Sequence, residues 1–236
     1  MTCHFLISKE PFYYFIPPER WDVVDPSKLR PMIKIAFVEH SMKPFKPSLN
    51  LGIQKTSTSL AEYLQEAKKQ HLLNRNKKWN ELGYVNTQAG QAHLSQIDEK
   101  MQVGDIRSMQ CILVKEGYAY VITAVSLRED FSNYHNEFLK AFESFTICDD
   151  MLSSIHSEVL KATYHAKVEK LLKEWSIFLA SNKPKPLEDS FTDKRFQRGF
   201  WRDFEKFLSK SFKDQGLVWQ VMASKEVRKL LLENPS

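Results

Sequence analysis

The chain predicts an α+β fold: a central antiparallel β-sheet flanked by helices over residues 1–147, then an all-α extension over residues 148–236. Three observations carry this reading. Apolar Leu49, Leu51 and Ile53 alternate with Asn50, Gly52 and Gln54, the period of a half-buried strand. Two apolar runs, Cys111–Lys115 and Tyr118–Val125, flank Glu116-Gly117, the short connection of a hairpin in which glycine supplies positive φ. After Cys148-Asp149-Asp150 no strand pattern remains, and apolar residues recur at helical spacing.

Each element follows in order. Phe12-Tyr13-Tyr14-Phe15-Ile16 reads as a strand, stopped by Pro17 and Pro18, which remove two backbone donors. Trp21 to Val24 is a short segment closed by Asp25-Pro26, with Trp21 dropping into a core. Met32 to Val38 is a strand, apolar except at Lys34. The period then changes: Leu60, Tyr63, Leu64, Ala67 and His71 lie on one face of a helix, and Ser59 with Glu62 is a capping-box signature. Strands follow at Trp79–Asn86, Gln91–Met101 and Ile106–Lys115, ahead of the hairpin return. A second helix carries Phe131, Tyr134, Phe138, Leu139 and Phe142, and Ser144 to Ile147 is a terminal strand. In the extension the spacing predicts helices over about 151–180, 193–213 and 224–233. The first carries Leu152, Ile155, Val159, Ala162, Val168, Leu171, Trp175 and Phe178. Residues 181–189 form a linker, Thr192 and Ser224 act as caps, and Gly216 is a stop.

Composition narrows the function classes. With 42% apolar and 27% charged residues the chain is an ordinary globular one, not a disordered one. A net charge of +5 falls short of the basic concentration of a dedicated duplex-DNA binder. Only 7 glycines, none clustered, leave no Gly-rich phosphate loop. Cys3, Cys111 and Cys148 are odd in number and lack CxxC spacing, which points to a reducing compartment and away from a disulfide framework or a zinc site. The first ten residues lack the pattern of a signal peptide, and no apolar run has the length of a membrane span. The expected location is cytoplasmic.

No catalytic set stands out, so the chain is read as a non-enzyme without cofactor or metal. His4, His40, His71, His93, His135, His156 and His165 are scattered, none four residues from another, so a helical HExxH pattern is missing. Cys111 lies in an apolar strand and reads as a small hydrophobe. No G-x-S-x-G elbow is present, and Asp98-Glu99 and Glu129-Asp130 read as solvated carboxylates. The tail holds the one suggestive pattern. Phe196, Phe200, Phe204 and Leu208 recur every four residues, with Phe207 adjoining. Lys194, Arg198, Arg202, Lys206 and Lys210 recur with the same step, offset by two. Two residues are about 200° on a helix, so the aromatic and basic stripes lie on opposite faces. The basic stripe is either a solvated face or a contact for an acidic protein, RNA or a membrane surface. Asp203 and Glu205 dilute its charge.

The ordered elements resemble the PsbP/DcrB-like family, whose fold is shared with a Ran-binding nuclear-import factor of the Mog type. The residues that carry this are Phe15-Ile16-Pro17 with Trp21, Ser48–Leu51 followed by Ser59–Tyr63, the hairpin Leu113–Thr123, and Phe131 through Phe145. The resemblance spans about residues 12–147. It implies a sheet flanked by helices, no shared catalytic residue and no shared cofactor. It also implies a role as a protein-binding module, such as an adaptor or a chaperone of secreted effectors, and leaves the extension outside the pattern. A nucleic-acid-binding role through the basic helix is the alternative.

Overall fold

The computed structural model describes residues 11–182 and 185–233. The chain divides into two compact units. One is Phe15–Thr146; the other joins residues up to Tyr14 with those from Ile147 onward. Cys3 and His4 lie outside the described residues.

The strands are β1 (Phe12–Tyr14), β2 (Trp21–Val23), β3 (Ile33–Glu39), β4 (Ser48–Lys55), β5 (Lys77–Thr87), β6 (Gly90–Met101), β7 (Gly104–Lys115), β8 (Tyr118–Leu127) and β9 (Thr146–Cys148). Seven of them form one antiparallel sheet in the order β2-β3-β4-β8-β7-β6-β5. The β7–β8 hairpin closes at Glu116 and Gly117, both at positive φ (51° and 79°), as a type I′ turn requires. β1 takes no part in this sheet. It pairs with β9 as a separate two-stranded ribbon, so the aromatic opening strand does not begin the large sheet. Trp21, three residues past the second proline, does anchor the core, edge-on to Tyr134 and Phe138 at 6.3 and 6.0 Å.

Two helices cover the sheet. α1 (Leu60–Leu72) begins with the expected box: Ser59 Oγ accepts from the Glu62 amide, and Glu62 Oε2 accepts from the Ser59 amide at 2.8 Å. Leu60, Tyr63, Leu64 and Ala67 pack on Trp79, Ile97, Ile112 and Val121, yet no residue of α1 is fully buried. α2 (Phe131–Glu143) buries Phe131, Tyr134, Phe138, Ala141 and Phe142. The register places Glu39, which accepts from Tyr134 Oη at 2.7 Å, on the face opposite Ile97, so α1 and α2 lie on opposite sides. The α2 face is the dry one: Phe37, Leu49, Leu51, Cys111, Ile122 and Ala124 are all buried there. Burial pushes the Cys111 thiol up to about 12, so it packs as the small hydrophobe its strand suggested.

The helical unit corrects the three-helix expectation. Instead of one helix over 151–180, Leu152–Ser154 form a short 3₁₀ turn, and α3 runs Glu158–Ala180. Ser157, extended at φ −91°, caps it by accepting from the Leu160 amide. The break resets the helical phase. Val159 is 76% exposed, and Tyr164 joins Val168, Leu171, Trp175 and Phe178 inside. α4 (Leu187–Phe191) occupies part of the expected linker. Asp193, not Thr192, caps the next turn, α5 (Lys194–Phe196). A π-helical segment, Gln197–Trp201, leads into α6 (Arg202–Ser211). After Gly216 (φ 82°) the last helix, α7, runs Gly216–Glu233, leaving Ser224 inside it. The buried Val218, Trp219, Met222, Ala223, Val227 and Leu231 keep helical spacing across that serine, and this packing outweighs a weak cap.

Candidate functional site

The basic face of residues 194–210 is built from the inside out. Phe196, Trp201, Phe204 and Leu208 are buried and hold the segment by one side. Phe196 sits 4.7 Å from Trp175, and Trp201 sits 4.9 Å from Phe191, measured between rings. Trp201 Nε1 donates to Glu205 Oε1 at 3.0 Å. With that side fixed, all five cations of the predicted stripe are exposed: Lys194 on α5, Arg198 in the π segment, and Arg202, Lys206 and Lys210 on α6.

The π segment changes the aromatic stripe. One extra residue per turn moves the inward position from Phe200 to Trp201, so inward spacing runs 196, 201, 204, 208. Phe200, expected in the core, is 37% exposed and touches Phe196 at 5.9 Å. Larger Trp201 fills the inward place and bonds its indole to Glu205. A strict period of four cannot reveal such an insertion.

The cations of this unit fall into two groups. Arg195 is engaged by Asp193 (3.1 Å), by Asn182 Oδ1 (2.6 Å) and by the Phe178 ring. Its side chain, then its amide, hold the Asp193 carboxyl down at about 2. Arg228 pairs with Glu188 at 2.6 Å and lies over Phe191. The stripe is different. Lys206 approaches Asp203 only to 4.0 Å, and among the described residues no carboxylate reaches ion-pair distance of Lys194, Arg198, Arg202 or Lys210. On α6 the row is one side chain wide: Asp203 stands about 60° to one side of Lys206 and Glu205 about 100° to the other.

The sheet unit offers a second polar surface. Asn50, Thr123, Gln110 and Ser95 occupy one row across four strands on the α1 side. Asn50 Nδ2 donates to the Thr123 carbonyl and Gln110 Nε2 to Thr123 Oγ1, both at 3.4 Å. His93 shares this face with Ser95, and Glu81 lies opposite Ser95 on β5. A serine, a histidine and a carboxylate are thus neighbours, yet they are not wired for acyl transfer. Among the described residues Ser95 Oγ and His93 Nδ1 find no hydrogen-bond partner, and Glu81 is taken by Lys68 at 2.7 Å. Burial lowers the His93 pKa and keeps its ring neutral. His71, on α1, is likewise lowered by burial and stacks near Trp79 at 5.4 Å. Among the described residues no three His, Cys, Asp or Glu side chains gather to hold a metal, and no helix is long and apolar enough to cross a membrane.

No family and no curated protein matches the sequence. The structure is similar to solved ones. LpqN of Mycobacterium tuberculosis, described as involved in cell envelope biogenesis, has a TM-score of 0.46 and 15% identity, over 59% of this chain and 84% of that one. Cyanobacterial PsbP of Synechocystis sp. PCC 6803 has a TM-score of 0.42 and 13% identity, over 57% and 86%. PA94 of Pseudomonas aeruginosa, a protein of unknown function described as a putative regulator, has a TM-score of 0.42 and 11% identity, over 54% and 96%. These are likenesses of fold. PsbP, whose family the ordered elements resemble, is among these similar structures.

Proposed function

We propose that this chain is a non-catalytic protein-binding module that engages an acidic partner through Lys194, Arg198, Arg202, Lys206 and Lys210. One observation carries the reading. Five cations stand in an exposed row on a segment whose opposite side is locked into an aromatic core, while Arg195 and Arg228 nearby are already paired. Successive cations four residues apart rise about 6 Å, so the row offers regularly spaced contacts. Its one-residue width between Asp203 and Glu205 favours a single acidic row, such as one face of a protein helix, over a broad polyanion. An adaptor or secretion-chaperone-like role in a reducing, cytoplasmic setting accords with the unreactive, buried Cys111.

Lys194, Arg198 and Arg202 changed together to Glu should leave the circular-dichroism spectrum intact, since all three are exposed. Crosslinking in the native cytoplasm should recover a defined acidic protein with the unaltered chain and lose it with the triple variant. Retention of that protein by the triple variant would end the assignment. The second reading, RNA bound through the same cations, is separated by gel shift with a single-stranded oligonucleotide. It demands a shift at low salt that weakens steeply as salt rises.

A further inference from the structure

The two helices on the sheet are held unequally. α2 buries five side chains, whereas α1 has no fully buried residue and rests on the stripe Leu60, Tyr63, Leu64 and Ala67. Its link to β5 through Lys68 and Glu81 is an exposed ion pair, which adds little. What lies beneath α1 is polar as well as apolar. α1 packs on Ile112, the cross-strand neighbour of His93, and its Lys68 reaches Glu81, the cross-strand neighbour of Ser95. Among the described residues Trp79 Nε1, His93 Nδ1 and Ser95 Oγ, all on this face, are buried without a hydrogen-bond partner. Each gains access to water when α1 rises, so these three atoms favour opening. His71, in the last turn of α1, lies half-buried against the Trp79 ring at 5.4 Å.

We propose that α1 is a pH-sensitive cover, closed at neutral pH and lifted from the sheet in mild acid, with His71 and His93 as the groups that take up the proton. Both rings are neutral in the closed state because burial disfavours their charged form. The surrounding charges do not undo this. Beside His71, Lys77 of β5 opposes a further positive charge, and Glu99 of β6, which favours one, is paired with Lys77 at 3.4 Å. Beside His93, Glu81 favours the charge but is paired with Lys68 at 2.7 Å, and Tyr84 presents its ring edge-on at 5.4 Å. Tyr63 on α1 is kept neutral by burial, and β7 and β8 bring Gln110, Ile112, Val121 and Thr123 to this face, none of them ionisable. With both histidines lowered, the closed cover binds fewer protons than the open one. Closure is therefore fully favoured above about pH 6.5, the value of a hydrated imidazole, and weakens as pH falls below it. Lifting bares Trp79, Ile97, Ile112 and Val121.

The test is hydrogen exchange on the full chain from about pH 7.5 to about pH 5, with protection corrected for the intrinsic pH dependence of exchange. The expected result is a loss of about threefold or more in the protection of α1 amides towards the acid end, with α2 amides unchanged. His71→Gln combined with His93→Gln should leave the circular-dichroism spectrum at neutral pH intact and make α1 protection flat across the range. Should that double variant misfold, the imidazole resonances of the unaltered chain decide, since both histidines should titrate below about pH 6.5. Constant α1 protection, an equal loss from α2, a double variant that keeps the pH dependence, or titration of both histidines at or above the free value overturns the proposal.

Discussion

The sheet unit and the helical unit meet the same need, a dry core, with different means. In the sheet unit, backbone ladders fix neighbours residue by residue, and aliphatic side chains such as Leu49, Leu51, Ile122 and Ala124 fill one face. In the helical unit no ladder joins the helices. Rings do the joining, in a continuous path: Phe12 to Trp219 (6.3 Å), Phe212 (4.6 Å), Tyr164 (5.9 Å), Phe204 (6.3 Å), Trp201 (5.6 Å), Phe191 (4.9 Å), Phe196 (5.8 Å) and Trp175 (4.7 Å). The difference teaches where specificity resides. A slipped strand would turn its whole apolar set to the wrong face. A helix can shift by one residue whenever a better ring fit repays it, as at the π segment.

Removal of one large side chain from each unit gives the strongest challenge to this contrast. Trp219→Ala deletes three ring contacts and leaves Ser154 Oγ without its indole donor at 2.7 Å, and Phe142→Ala empties a fully buried site under α2. Each should cost about 3–5 kcal/mol in denaturant unfolding. Hydrogen exchange should locate the first loss among amides of the helical unit and the second in the sheet unit. A loss below about 1 kcal/mol for either would mean that its core is wrongly drawn.

The next test separates adjacent aromatics. Trp201→Ala should cost about 3 kcal/mol and Phe200→Ala under about 1, because only the tryptophan points inward. The reverse order would restore a plain α-helix and remove the π segment.

The sheet unit also carries a pH signature. Arg107 grips Asp98 through two bonds of 2.7 and 2.9 Å, and this holds the Asp98 carboxyl below the usual carboxylate range. A depressed folded value means that the stabilisation is fully present above about pH 4 and fades as pH falls through that folded value. Asp98→Asn should cost about 1–3 kcal/mol at neutral pH and should show a flatter acid limb in thermal melts. An unchanged acid limb would remove this pair from the balance.

Gly199 gives the smallest effect. It lies inside the π segment with a helical φ and open space where a Cβ would stand. Gly199→Ala should therefore stabilise the helical unit by up to about 1 kcal/mol. Destabilisation would show that the segment depends on glycine itself.

Much of the sheet unit was legible because its signals are local. The Ser59–Glu62 box, the Glu116-Gly117 turn and the alternation through Leu49 and Leu51 each report their own geometry. The candidate basic face was legible for the same reason, since Lys194 to Lys210 keep one helical step. The helical unit was less so. The phase reset at Ser157, the start of α7 at Gly216 and the outward turn of Phe200 follow from contacts between residues far apart in sequence.

By itself, then, the sequence determined the strands of the large sheet and the two helices of the sheet unit, where α1 is capped, and which cations share a stripe. These depend on periodicity and on hydrogen bonds across a few residues. Only the tertiary structure decided that β1 leaves the large sheet to pair with β9, that Trp201 displaces Phe200 inward, and that β5 ends the sheet as its one long edge. Each is a choice among locally similar arrangements, made by long-range packing that no single stretch of chain encodes.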